Sequence, residues 1–153
     1  MAVYLEEEKT LFSGDCILGS GTAVFEELST YMRSLNAILE IGPLKIYPGH
    51  GPVVDDPEVK IKEYIEHRMK REREIVNVLG KLGTATTMAI TSAIYKVSVD
   101  DTAVYASNKQ LNTFQDVPLS VKFGAMRNTR QHIEKLLTES KLKEVAMGVY
   151  SLT

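Results

Sequence analysis

LEEEKTLFSGDCILG at residues 5–19 and YPGHGP at residues 47–52 are the two stretches that decide how this chain is read. In the first, β-favouring Leu11 and Phe12 run into Ser13, Gly14 and Asp15, where the chain turns. In the second, a short strand at 44–47 runs into a loop of prolines and glycines around His50. Asp15 and His50 therefore each stand just past a strand, where rigid scaffolds hold ligands and catalytic groups. An aspartate oxygen can bridge two metal ions, and a neutral imidazole suits zinc, iron or manganese. The flanking glycines let backbone approach a bound ion closely. Taken singly, Asp15 reads more readily as a turn residue, and His50 as a structural loop histidine.

Around these loops the pattern is mixed. Residues 2–5 and 10–13 predict two short strands joined as a hairpin. Residues 23–41 predict a helix capped by Thr22, with Phe25, Leu28, Tyr31, Met32, Leu35, Ile38 and Leu39 on one stripe. Gly42 and Pro43 stop it. Asp56 and Pro57 open a second helix to about Leu79, with Ile61, Ile65, Met69, Ile75, Val76 and Leu79 inward. Its middle, residues 66–74, is almost wholly charged and reads as a solvated face held by ion pairs. Gly80 and Gly83 are expected to break it. A short helix at 88–97, a loop at 98–118 with a turn near Tyr105, a helix at 120–139 facing inward through Val121, Met126, Ile133, Leu136 and Leu137, and a hairpin at 143–152 complete the pattern.

Composition narrows the class. Of 153 residues, 44% are apolar and 25% charged, which excludes collagen-like and wholly disordered chains. No apolar run approaches the roughly 18 residues of a membrane span. A single cysteine, Cys16, excludes an internal disulfide and fits a reducing, intracellular compartment, with mitochondrial and cytosolic left undetermined. The N-terminus lacks the features of a targeting peptide. The net charge of −2 averages two unlike parts. Residues 1–59 hold three basic and ten acidic residues; residues 60–153 hold fifteen and ten. Such a split suggests two units with different partners.

The SGD element, the PGHGP loop and YIEHRMKRE at 64–72, in this order, resemble the metallo-β-lactamase-fold hydrolases, in particular the β-lactamase-like protein 2 group. The resemblance implies an α+β chain. Residues 1–56 would be the C-terminal half of the αββα sandwich, and residues 57–153 a mostly helical, winged-helix-like domain. It implies a two-zinc site in which the SGD aspartate, Asp15, bridges the ions and the PGHG histidine, His50, binds one. It also implies metal-dependent hydrolysis, with single-stranded RNA as the substrate of related endoribonucleases. Cys16, beside Asp15, is read as a small buried hydrophobe rather than a thiolate ligand. The family's HxHxDH motif does not occur here and belongs upstream of Met1. With three histidines in all, His50, His67 and His132, the chain alone is expected to bind zinc weakly and to turn over slowly or not at all. A half sandwich leaves a sheet face uncovered, so the expectation is a truncated product, or one completed by a missing N-terminal half or by homo-oligomers. The alternatives are a non-catalytic RNA- or protein-binding module and a gene-model fragment. If RNA is the partner, Lys70, Arg71, Arg73, Arg127, Arg130 and Lys135 are the candidate phosphate contacts.

Overall fold

The computed structural model describes residues 1–98 and 118–153. The loop expected at 98–118, with its turn near Tyr105, lies almost wholly outside them. The chain divides into two compact units, Met1–Met69 and Lys70–Thr153. The division falls inside a continuous helix; the boundary at 56/57 is the one the family resemblance implies. The helix spans it because its first turns supply Ile61 and Tyr64 to one core and its last turns Ile75 and Leu79 to another.

The first unit is a three-stranded sheet, ordered β1(Val3–Leu5), β2(Thr10–Gly14), β3(Lys45–Pro48), with helix α1(Leu28–Ile41) as the crossover between β2 and β3. β1 and β2 are antiparallel; β2 and β3 are parallel. Alternation along each strand sends Leu11 and Ile46 to one face, where they join Leu28, Tyr31, Leu35 and Ile38 of α1 in a buried core. On the other face Val3, Phe12 and Tyr47 sit side by side across the three strands, 53%, 46% and 41% exposed. The Phe12 and Tyr47 rings stack at 5.5 Å. This is the uncovered face expected of a half sandwich.

α1 begins at Leu28, not at residue 23, and Thr22 is not its cap. Glu27 occupies that position with an extended backbone, and its carboxylate accepts from the Thr30 hydroxyl. The reason lies far along the chain. The Arg68 guanidinium donates to the Ala23 carbonyl at 3.4 Å and lies 4.7 Å over the Phe25 ring. Phe25 in turn stacks on Tyr31 at 4.9 Å. These contacts hold residues 23–25 as a packed loop, against their helical periodicity. The stop is as expected: Gly42, at φ +64°, donates to Ile38.

α2 runs Pro57–Leu82, and the Asp56 carboxylate accepts from the Val59 N–H at 3.2 Å, the bond expected of a cap. Gly80 does not break α2; the helix ends at Gly83, whose φ of +74° only glycine adopts without strain. The second unit continues with β4(Thr84–Thr86), α3(Thr87–Ser98), α4(Leu119–Thr138), β5(Leu142–Ala146) and β6(Val149–Leu152). Its antiparallel sheet is ordered β4-β6-β5. Ile75, Leu79, Ala85, Ile90, Ile94, Ile133, Leu136 and Leu142 form its core. In α4 the buried face is Ala125, Thr129, His132, Ile133 and Leu136; Val121, expected inside, is exposed. Among the described residues no helix is long and apolar enough to cross a membrane.

Candidate metal edge at Asp15 and His50

Because β2 and β3 run parallel, both chains leave the sheet at the same end. Gly14 is in register with Pro48, and the Gly49 N–H donates to the Gly14 carbonyl at 2.9 Å. This brings Asp15 and His50, far apart in sequence, together: His50 Nε2 lies 3.6 Å from Asp15 Oδ1. Both side chains are open to solvent, at 79% and 77% exposure. The distance is too long for a hydrogen bond. It is close to the edge of a coordination tetrahedron, since two ligands about 2.05 Å from one zinc ion stand about 3.3 Å apart. Gly51 is sterically required, because its φ is +87° and a Cβ there would come within 2.6 Å of the Ser20 nitrogen. Gly49 is close-packed, with a Cβ reaching 3.0 Å from Asp15 Oδ1 and 3.2 Å from the Gly14 carbonyl carbon.

The residues therefore fit one edge of a metal site. Among the described residues no third histidine, cysteine or carboxylate joins them. Burial above all pushes the Cys16 thiol up, which disfavours the thiolate. His67 lies on the exposed side of α2, at a cavity of about 220 Å³ lined also by Gly21, Thr22 and Lys60. His132 is fully buried in the second unit.

The loop that carries Asp15 is held by side chains on its carbonyls. Ser13 Oγ donates to Ile17 at 2.7 Å, and the Tyr31 hydroxyl to Cys16 at 2.9 Å. The Tyr64 hydroxyl donates to Gly21 at 3.0 Å and accepts from the Leu18 N–H at 3.3 Å. Burial first, and then Cys16, raise the Tyr31 hydroxyl well above the usual tyrosine range, so it stays a donor.

The six basic candidates separate. Lys70, Arg73, Arg127 and Arg130 are exposed, Arg130 with Glu134 beside it at 2.9 Å. Arg71 is largely buried, paired with Glu74 at 2.8 Å and set over the Tyr95 ring at 5.0 Å. Lys135 is largely buried between Glu72 at 2.8 Å and Glu139 at 2.6 Å. The charged middle of α2 is not simply a solvated face, because Arg68 and Glu72 are buried. Sequence reasoning missed both residues and Tyr64. A usable signal existed: positions 61, 64, 68, 72, 75 and 79 form one stripe at three- and four-residue spacing, all buried.

No family model matches the chain. It is 44% identical to the beta-lactamase-like protein 2 homolog of Caenorhabditis elegans over 135 residues, covering 88% of this chain and 39% of the relative. It is 40% identical to the homolog of Drosophila melanogaster over 136 residues, covering 89% and 41%. A more distant relative, an atrochrysone carboxyl ACP thioesterase of Aspergillus fumigatus, is 34% identical over 106 residues, covering 62% of this chain and 34% of the relative. The fold matches a metallo-beta-lactamase family protein of Thermus thermophilus with a TM-score of 0.68 at 21% identity, covering 99% of this chain and 44% of that one. It also matches a beta-lactamase domain protein of Burkholderia ambifaria with a TM-score of 0.75 at 17% identity and the same coverage. Fold and sequence together place the chain in the metallo-β-lactamase family. Within that family it groups with the beta-lactamase-like protein 2 homologs. It spans about two fifths of the length of those two relatives.

Proposed function

We propose that this chain supplies the Asp15–His50 edge of a two-zinc hydrolytic centre and, by itself, hydrolyses slowly or not at all. The observation that carries the reading is the approach of Asp15 Oδ1 and His50 Nε2 to 3.6 Å, at the shared end of two parallel strands. When bound, a pair of ions supplies Lewis acidity and lowers the pKa of water toward neutrality. Asp15 would hold such a group through its carboxylate and His50 through its imidazole nitrogen. Gly49 and Gly51 keep the approach open. Two donors hold one ion loosely, because catalytic zinc sites usually take three protein ligands.

The substrate class proposed is single-stranded RNA, cleaved endonucleolytically by the complete centre. Its phosphates would be met by the exposed Lys70, Arg73, Arg127 and Arg130. The order of the second unit, a helix, then β4, α3, α4 and a hairpin pairing back onto β4, supports a winged-helix-like reading. A thioester substrate is the second reading, favoured by the name of the Aspergillus relative. A non-catalytic RNA-binding module is the outcome if RNA binds and no cleavage follows when the remaining ligands are supplied by a full-length relative.

Zinc titration by calorimetry, with the His50 imidazole followed by NMR, tests the edge. The expected result is weak binding centred on His50 and abolished in Asp15→Asn. Stoichiometric nanomolar binding refutes the inactivity of the chain alone; an unmoved His50 refutes the edge. For RNA, neutralising Lys70, Arg73, Arg127 and Arg130 should weaken binding and flatten its salt dependence, by about 0.7 in slope for each phosphate no longer neutralised.

A further inference from the structure

We infer that Tyr64 is a positioning residue for the Asp15–His50 edge, an inference that rests on the metal reading above. The segment from Asp15 to Ala23 has no regular structure, so its backbone groups need partners of another kind. Most of the side chains that serve it hold one point each. Tyr64 holds two: its hydroxyl donates to the Gly21 carbonyl and accepts from the Leu18 N–H. These two points bracket Gly19. Gly19 is the residue that joins the two loops of the edge, for its N–H donates to the His50 carbonyl at 2.9 Å.

The junction is tight. A Cβ on Gly19 would fall 1.9 Å from the Pro52 oxygen and 2.7 Å from the Gly51 carbonyl carbon. Backbone lies directly on backbone there, so a shift of Gly19 moves the 50–52 loop with it. Tyr64 is itself buried, on the part of α2 that packs into the core of the first unit. It therefore gives the Asp15 loop a fixed reference on a rigid helix. Metal affinity depends on such supporting contacts, which commonly change it 10- to 100-fold when removed. Tyr64 acts through one intervening loop, so the expected effect is smaller.

The test compares the wild-type chain with Tyr64→Phe, with Tyr150→Phe in the second unit as the control. Two quantities are read by NMR: zinc affinity from the His50 imidazole, and hydrogen exchange of the Gly19 amide without metal. Tyr64→Phe should weaken zinc binding roughly 3- to 10-fold and speed Gly19 exchange about tenfold or more, while Tyr150→Phe changes neither. Zinc affinity within twofold of wild type in folded Tyr64→Phe overturns the inference, even if Gly19 exchange quickens, since Tyr64 then braces the loop without setting the edge. A wild-type His50 that ignores zinc instead overturns the metal reading, and the positioning role falls with it. If Tyr64→Phe does not fold, Tyr31→Phe, which frees the Cys16 carbonyl of the same loop, is held to the same two criteria.

Discussion

Replacing Lys135 by methionine asks whether the basic surface of the second unit is built for a partner or for the unit itself. The Lys135 ammonium lies 2.8 Å from Glu72 Oε1, and the two side chains are only 13% and 11% exposed. At an effective dielectric constant of 20, that separation corresponds to roughly 6 kcal/mol of gross attraction, most of which offsets the cost of desolvating the two charges. Methionine keeps the packing of the stem but strands the Glu72 carboxylate. Stranding a fully buried charge costs about 3–5 kcal/mol. Here the Glu72 side chain keeps 11% of its exposure, so the expected loss is about 2–3 kcal/mol at pH 7.

The pH dependence gives the sign. Burial pushes the Glu72 carboxyl up, but the neighbouring His132 and Lys135 outweigh it and leave the group below its ordinary value of 4.5. In the wild type that stabilisation is present above the unfolded value and is lost as pH falls through the lower folded one. Without Lys135 burial dominates, Glu72 rises, and the penalty is relieved as pH falls toward about 4. The loss should therefore shrink to under about 1 kcal/mol there. Adding Glu72→Met should restore much of the stability at pH 7. The assay is urea unfolding at both pH values, followed on β5 and β6 amides so that the second unit is read alone. A loss under about 0.5 kcal/mol at pH 7 refutes the buried pair. An equal loss at both pH values assigns the effect to packing. Single-stranded RNA binding by folded Lys135→Met should keep the wild-type salt slope, because this ammonium is already engaged.

Other expectations are more local. Gly19→Ala should destabilise the first unit by more than about 2 kcal/mol, since the new Cβ meets Pro52 backbone rather than a mobile side-chain end; thermal melting followed on first-unit signals reads it. Gly80→Ala should instead stabilise by about 0.5–1 kcal/mol in the same melt, because the position is helical and its Cβ would meet only Leu152 Cδ1 at 4.0 Å. Asp15→Asn should change stability by less than about 0.5 kcal/mol in urea, as its contact with His50 is exposed, while removing the zinc response of His50.

Local signals mark the elements whose boundaries are set by their own residues. Asp56 and Pro57 open α2, Gly42 and Pro43 close α1, and Gly148, at φ +69°, turns the last hairpin. Distant contacts set the rest. Arg68 fixes where α1 starts by holding Ala23 and Phe25 out of the helix. β4, three residues long, exists because β6 pairs with it from the far end of the chain. No window around Thr84 could reveal that partner. The site follows the same division. Each strand exit is visible by itself, but that Asp15 and His50 meet depends on β2 and β3 lying parallel and adjacent.

The charged middle of α2 shows how a charge should be weighed before it is given to a partner. Counting charges there suggests a solvated face, yet Arg68 and Glu72 stand on the stripe of Ile61, Tyr64, Ile75 and Leu79 and are buried with it. A charge on an apolar stripe must be satisfied inside the molecule, and the satisfying group need not be near in sequence. Phe25 and Tyr31 lie against Arg68, and Lys135 against Glu72. Glu72 thus withdraws Lys135 from the surface, as Glu74 and Tyr95 withdraw Arg71. Of six basic residues that look alike in the sequence, four remain on the surface. Of the six candidates, Lys70, Arg73, Arg127 and Arg130 are the ones left on the surface to meet an RNA, and neutralising these four should move the salt slope.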